Sequence, residues 1–294
     1  MQKSLAKRLF SNTMMNTKTL SNNFLELEYR TDALRITGLT PKGKKNLFAD
    51  LSHMPPISTH YGDFYFHGGH RLWHAPESMP RTYIPDSGDI SVTEIQDGVS
   101  LEAPTEPDTG IRKRIDVQLA SAAPTGSLTH TLTNNGLWTV GMAPWAITQC
   151  RLGGTVILPL PTETVDPAGL LANRQLLFWP YTNLSDSRLI LQDKITFFKA
   201  NPAPAFKVGY FNTDSWLAYW IEGTLFKKTF GALSGAAYPD SGCNAEVYCN
   251  EEFVELESLA PFIQLQPGEK VTHVEKWEIL NALPGELAIA LNKI

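Results

Sequence analysis

Ile111-Arg112-Lys113-Arg114-Ile115-Asp116-Val117-Gln118-Leu119 decides the fold class. Apart from Lys113, apolar residues fill every second position, so an extended chain places Ile111, Ile115, Val117 and Leu119 on one face. The same period of two returns in Leu25-Glu26-Leu27-Glu28-Tyr29-Arg30, in Ser127-Leu128-Thr129-His130-Thr131-Leu132-Thr133 and between Val271 and Ile279. Turn-forming clusters punctuate these runs, among them Pro85-Asp86-Ser87-Gly88-Asp89, Pro239-Asp240-Ser241-Gly242 and Gln266-Pro267-Gly268-Glu269. Many short strands with frequent turns predict an all-β protein, a sandwich or a barrel. No long segment keeps a 3.6-residue period. Leu287 to Leu291 fits a short helix or a final strand equally well. No linker-like tract interrupts residues 23–294, which are expected to form one β domain.

The composition narrows the function. With 25 Lys+Arg against 30 Asp+Glu the net charge is −5, which argues against an electrostatically driven nucleic-acid or anionic-membrane binder. A hydrophobic fraction of 43% excludes wholesale disorder. No run approaches the roughly 18–20 apolar residues of a spanning helix. Cys150, Cys243 and Cys249 lack C-x-x-C spacing, so neither a disulfide framework nor a Cys-rich zinc site is expected, and a reducing cytoplasm is the simplest setting. Residues 1–22 carry Lys3, Lys7, Arg8 and Lys18 without an acid and show no secretory h-region; they are expected to be a flexible extension, with Met14 or Met15 as an alternative start.

Three stretches hold candidate chemistry. In Phe66-His67-Gly68-Gly69-His70-Arg71-Leu72-Trp73-His74-Ala75-Pro76-Glu77, three of the seven histidines fall within eight residues. An extended chain puts His70, Leu72 and His74 on one face and Arg71 and Trp73 on the other. Imidazole is a common metal ligand, but Gly68-Gly69 and Pro76 oppose the helix that would align His67, His70 and His74. The cluster therefore reads as a polar ligand pocket, as structural histidines at a turn, or as a metal site; no metal or cofactor is expected. In Phe253-Val254-Glu255-Leu256-Glu257, a strand points Glu255 and Glu257 away from the core that Val254 and Leu256 enter. Two carboxylates there are a solvated face or a general acid–base pair. Aromatic residues gather at Trp138 and Trp145, at Phe178-Trp179-Pro180-Tyr181, and at Tyr210-Phe211 with Trp216, Tyr219 and Trp220. Most such rings build core; some present faces that suit sugar rings. Lys207 and Asp214 flank the last group. No G-x-S-x-G, P-loop or G-x-G-x-x-G pattern supports elbow-hydrolase, NTPase or dinucleotide chemistry.

Taken in order, these stretches resemble the galactose mutarotase-like superfamily, the aldose 1-epimerases and their relatives. The resemblance rests on Asn46-Leu47-Phe48 after the first hairpin, on Phe66-His67-Gly68-Gly69 with Trp73 and Pro76, on Leu132-Thr133-Asn134-Asn135-Gly136 followed by Ala143-Pro144-Trp145, and on Val254-Glu255-Leu256-Glu257 with Pro261. It spans roughly residues 24–280 and implies the family's large β-sandwich (supersandwich) with a sugar-binding face. It implies Glu257 as the base that takes the anomeric proton, and His67 polarising the sugar. The family's acid histidine is replaced by Asn135-Gly136, and His70 or His74 is the substitute expected for it. Arg71, Trp73, His74, Trp145, Lys207, Asp214 and Glu255 are then the expected substrate contacts. The expected activity is interconversion of sugar anomers by Glu/His acid–base catalysis, with a non-catalytic carbohydrate-binding protein as the alternative. The expected partner is a small sugar or sugar derivative, bound by a monomer or homodimer.

Overall fold

Alternating strands of this length bury one face each, and two antiparallel sheets accomplish that by packing together. The computed structural model describes residues 16–291. Its first sheet runs in the order Thr17–Ser21, Leu25–Arg30, Ile36–Pro41, Gly69–Ala75, Val140–Cys150, Val254–Leu259, Ala245–Cys249, Phe206–Tyr210 and Leu177–Phe178. Ile263–Leu265 pairs with the leading end of Val140–Cys150. The second sheet runs Leu189–Leu191, Ile195–Lys199, Thr155–Pro159, Trp216–Ile221, Thr224–Phe230, Lys270–Leu280, Thr125–Asn134, Ile111–Leu119, Gly98–Glu102 and Ser91–Ile95. The architecture is a large antiparallel β-sandwich.

The core lies between the sheets. Leu27, Ile36, Leu72 and Leu256 from the first meet Val117, Leu128, Leu132, Phe226 and Trp277 from the second. In Ile111–Leu119 the inward positions are Ile111, Lys113, Ile115, Val117 and Leu119. The break in the alternation is thus a buried lysine, and its ammonium lies 2.6 Å from the Glu106 carboxylate. Each apolar side chain withdrawn from water here contributes roughly 1.5–3 kcal/mol.

Two features differ from expectation or settle it. The β structure begins inside the stretch expected to be an extension: Thr17–Ser21 pairs with Leu25–Arg30, Leu20 opposite Leu27. Residues 1–15 lie outside the described residues. At the other end, Gly285–Leu291 is a helix. Among the described residues no helix is long and apolar enough to cross a membrane, and the three cysteines are buried free thiols.

The Gly68-Gly69 pair is dictated by close packing. Both residues have positive φ, +84° and +69°. A Cβ on Gly68 would stand 1.9 Å from the Ala49 carbonyl oxygen, and one on Gly69 would stand 2.0 Å from that of Ile36. The bend lets the chain enter the Gly69–Ala75 strand against its neighbours, which sets the register of every side chain that follows.

Candidate functional site: a cavity on the outer face of the first sheet

Register builds the site. Gly69–Ala75 and Val254–Leu259 flank Val140–Cys150, with Trp73 opposite Trp145, Gln149 opposite Glu255, and Ile147 opposite both Arg71 and Glu257. Farther across the sheet, Glu246 lies opposite Glu257 and Lys207 opposite Tyr248. A strict period of two sends these odd-numbered residues of Gly69–Ala75 and Val254–Leu259 to the outer face, while His70, Leu72, Leu256 and Ser258 point toward the second sheet. Turns and loops around the outer face enclose a cavity of about 370 Å³. Its walls include Arg71, Trp73, Trp145, Trp179, Lys207 and Glu255. Trp73 and Trp145 meet edge to face, their ring centres 5.4 Å apart.

Two ion-paired groups cross the cavity floor. The Arg71 guanidinium lies over the Trp73 ring, 4.1 Å from its centre, and Nη2 donates to Glu255 Oε1 at 3.0 Å. Gln149 Nε2 donates to the same oxygen at 3.0 Å. Burial nevertheless pushes the Glu255 carboxyl up to about 7, helped by the Glu257 charge and opposed by Arg71. In the second group, Lys207 Nζ sits 2.7 Å from Glu246 Oε2 and 3.0 Å from Glu257 Oε2. It also lies 4.8 Å and 4.6 Å from the ring centres of Trp145 and Trp179. Burial opposes the charge on Lys207, but the carboxylates of Glu246 and Glu257 outweigh it and hold the ammonium well above its usual range. Burial raises the Glu246 carboxyl.

The two glutamates exchange their expected positions. Glu257, expected to be the base, is fully buried beneath the cavity: Oε2 accepts from Trp145 Nε1 at 2.8 Å and from Lys207, and the residue does not border the open space. Glu255, expected to be a substrate contact, borders it. The inward–outward alternation was legible; which of two outward carboxylates the aromatic residues cover was not. Of the residues expected to contact substrate, Arg71, Trp73, Trp145 and Lys207 line the cavity and Asp214 does not. Asp214 is exposed in the loop between Phe206–Tyr210 and Trp216–Ile221.

None of the three histidines lines this cavity. His67, at positive φ, stands at the bend beside Ser87, 3.4 Å away, and burial with the nearby Arg35 and Arg30 charges depresses it to about 3. His74 is buried on the opposite face of its strand, 3.8 Å from Glu106. His70 points between the sheets into a closed polar network. Its Nδ1 lies 2.9 Å from Thr148 Oγ1 and its Nε2 2.7 Å from His130 Nε2. His130 Nδ1 reaches the His273 carbonyl at 3.0 Å, and His273 Nε2 lies 2.7 Å from Ser258 Oγ, which donates to Glu275. Lys228 donates to Thr148 Oγ1, to the Leu256 carbonyl and to Glu275. One proton arrangement satisfies the chain with every imidazole neutral: Thr148 donates to His70, His70 to His130, and His130 to the carbonyl. Among the described residues, His70, His130 and Glu275 alone bring metal-ligand atoms together, within 4.8 Å. Those atoms are already paired, and a cation there would face the Lys228 ammonium, 2.8 Å from Glu275. His67, His70 and His74 do not converge on a common point.

Several residues of the site were not singled out from the sequence: Tyr83 and Tyr248, which line the cavity, and Gln149 and Glu246, buried beneath it. For Glu246 and Tyr248 a signal exists, since Ala245-Glu246-Val247-Tyr248-Cys249 alternates as a strand with polar atoms on one side. Tyr83 arrives on a one-turn 3-10 segment, Arg81–Tyr83, and its hydroxyl donates to Glu77 Oε1 at 2.5 Å.

Comparison with solved structures places the fold. A galactose mutarotase-like protein from Lactobacillus casei superposes with a TM-score of 0.56 at 10% identity, over 90% of this chain and 100% of that one. The fold is galactose mutarotase-like. A galactose mutarotase related enzyme from Lactobacillus acidophilus matches the mutarotase-like sandwich with a TM-score of 0.52 at 9% identity, covering 90% and 97% of the two chains. A TPR-domain containing protein from Parabacteroides distasonis reaches 0.63 at 14% identity over 91% of this chain, which spans 47% of that protein's length. No protein-family model and no curated protein matches the sequence.

Proposed function

We propose that the outer-face cavity binds a sugar or sugar derivative and that the protein is a carbohydrate-active isomerase of the aldose 1-epimerase type, with Glu255 as its proton-transfer group. One observation carries this reading: a carboxylate held by Arg71 and Gln149 is presented to a cavity walled by Trp73, Trp145 and Trp179. Indole faces suit the C–H faces of a sugar ring, and a buried carboxyl that titrates near neutrality can both take and return a proton. Ring opening needs a base at the anomeric hydroxyl and an acid at the ring oxygen. The expected histidines are absent from the cavity. The acid is then drawn from the hydroxyls that face it, Tyr83, Tyr181 or Tyr248, which burial keeps protonated.

The test is the decay of optical rotation in freshly dissolved aldoses. The protein should accelerate it, Glu255→Gln should abolish the acceleration, and Glu257→Gln should retain part of it. Loss in Glu257→Gln with retention in Glu255→Gln would overturn the assignment. The lack of a histidine beside Glu255 favours a second reading, a non-catalytic carbohydrate-binding protein. Sugar binding without acceleration of any aldose would select it.

A further inference from the structure

Two residues that line the cavity hold buried donors that no protein group uses. Arg71 is 2% exposed, and of its guanidinium nitrogens only Nη2 has a partner; Nε and Nη1 reach no acceptor. Trp73 Nε1, on the same wall, is also unpartnered. Trp73 stacks on the guanidinium and the Phe66 ring centre lies 5.8 Å away, so the group is held flat and stripped of water. A buried donor without a partner is destabilising, so this wall is built at a cost that a ligand acceptor would recover. The balance of charge points the same way. Lys207 lies between two carboxyl groups, Glu246 and Glu257, whereas among the described residues Arg71 has only Glu255 as an ion-pair partner.

Resting on the sugar-binding reading above, we propose that the natural ligand is a sugar acid whose carboxylate docks on Arg71, its ring lying against Trp73 and Trp145. A single guanidinium with spare donors matches a monoanionic carboxylate. A phosphate dianion would meet the exposed Glu77 and the Glu255 carboxyl, with no second cation free of carboxylate partners among the described residues that line the cavity. The volume of about 370 Å³ is within the range of small-molecule sites.

The experiment is titration of the full chain, by calorimetry and tryptophan fluorescence, with galacturonate, glucuronate, galactose, glucose, glucose 6-phosphate and the non-sugar carboxylate benzoate. The uronates should bind at least tenfold more tightly than the neutral sugars. Arg71→Met should bring that ratio close to one, and Arg71→Lys should restore part of it. The wild-type comparison is decisive even where a variant fails to fold. Equal affinity for uronates and neutral sugars overturns the inference and leaves the sugar reading standing. Tightest binding of the phosphosugar overturns the choice of carboxylate. Binding of benzoate with no sugar response overturns the sugar reading while the anion site on Arg71 survives, and no response to any ligand overturns both.

Discussion

His273→Gln should make the protein relatively more resistant to acid. His273 is buried between the sheets, and burial lowers its imidazole to about 3, with the neighbouring Lys228 charge adding to the effect against Glu275. In the unfolded chain a histidine titrates near 6.5. Below that pH the unfolded state therefore binds a proton that the native state refuses, and stability falls as pH falls. Between pH 7 and pH 5 this linkage removes about 2 kcal/mol for one such imidazole. Gln retains an N–H that can donate to Ser258 Oγ but has no proton to gain. At pH 7 the variant should be less stable than wild type by about 1–3 kcal/mol, from imperfect replacement in a buried network. At pH 5 that deficit should shrink by about 2 kcal/mol. The assay is urea denaturation followed by tryptophan fluorescence at pH 7, 6 and 5. Comparing variant with wild type removes the carboxyls of Glu246 and Glu255, whose upward shifts give slopes of the opposite sign. A deficit that is the same at all three values would refute the neutral, proton-satisfied network. His70→Gln, in the same network, should behave alike, since burial holds that imidazole well below its usual range.

If Glu255 is the base of an anomer interconversion, the rate should rise with pH and level off above about 7, the value to which its carboxyl is raised. A pH profile flat from 5 to 8 in the wild type argues against that role. Lys207→Met leaves Glu246 and Glu257 without their shared cation in a buried site, and urea denaturation should register a loss of about 3–5 kcal/mol; a loss below 1 kcal/mol means the three groups are not acting as a buried unit. Gly69→Ala must accommodate positive φ and a Cβ 2.0 Å from the Ile36 carbonyl oxygen, and thermal unfolding should show about 2–5 kcal/mol of destabilisation. A neutral Gly69→Ala variant would mean that the bend is not required by close packing.

The outer face of the first sheet was largely legible. Period-two spacing alone sends Arg71 and Trp73 to one side of their strand and His70 and His74 to the other, and points Glu255 and Glu257 the same way. The strand at Thr17–Ser21 was missed because its burial pattern holds no clear alternation; it is an edge strand whose pairing, rather than its side chains, defines it. Asp214 and Lys207 looked alike as charges flanking an aromatic stretch. Only Lys207 sits on a strand whose register delivers it to the cavity.

Local chemistry fixed what depends on neighbours along the chain: strands, turns, the bend at Gly68-Gly69, and the side of the strand each residue occupies. Periodicity has no access to what lies above a given face. His70 and His130, sixty positions apart, were brought within 2.7 Å by sheet packing, which placed an expected catalytic histidine in a buried polar network. The same packing sealed Glu257 under Trp145 and Lys207 and left Glu255 facing open space. Burial, and with it the proton affinity of each carboxyl, depends on contacts between distant segments, and these exist only once both sheets are assembled.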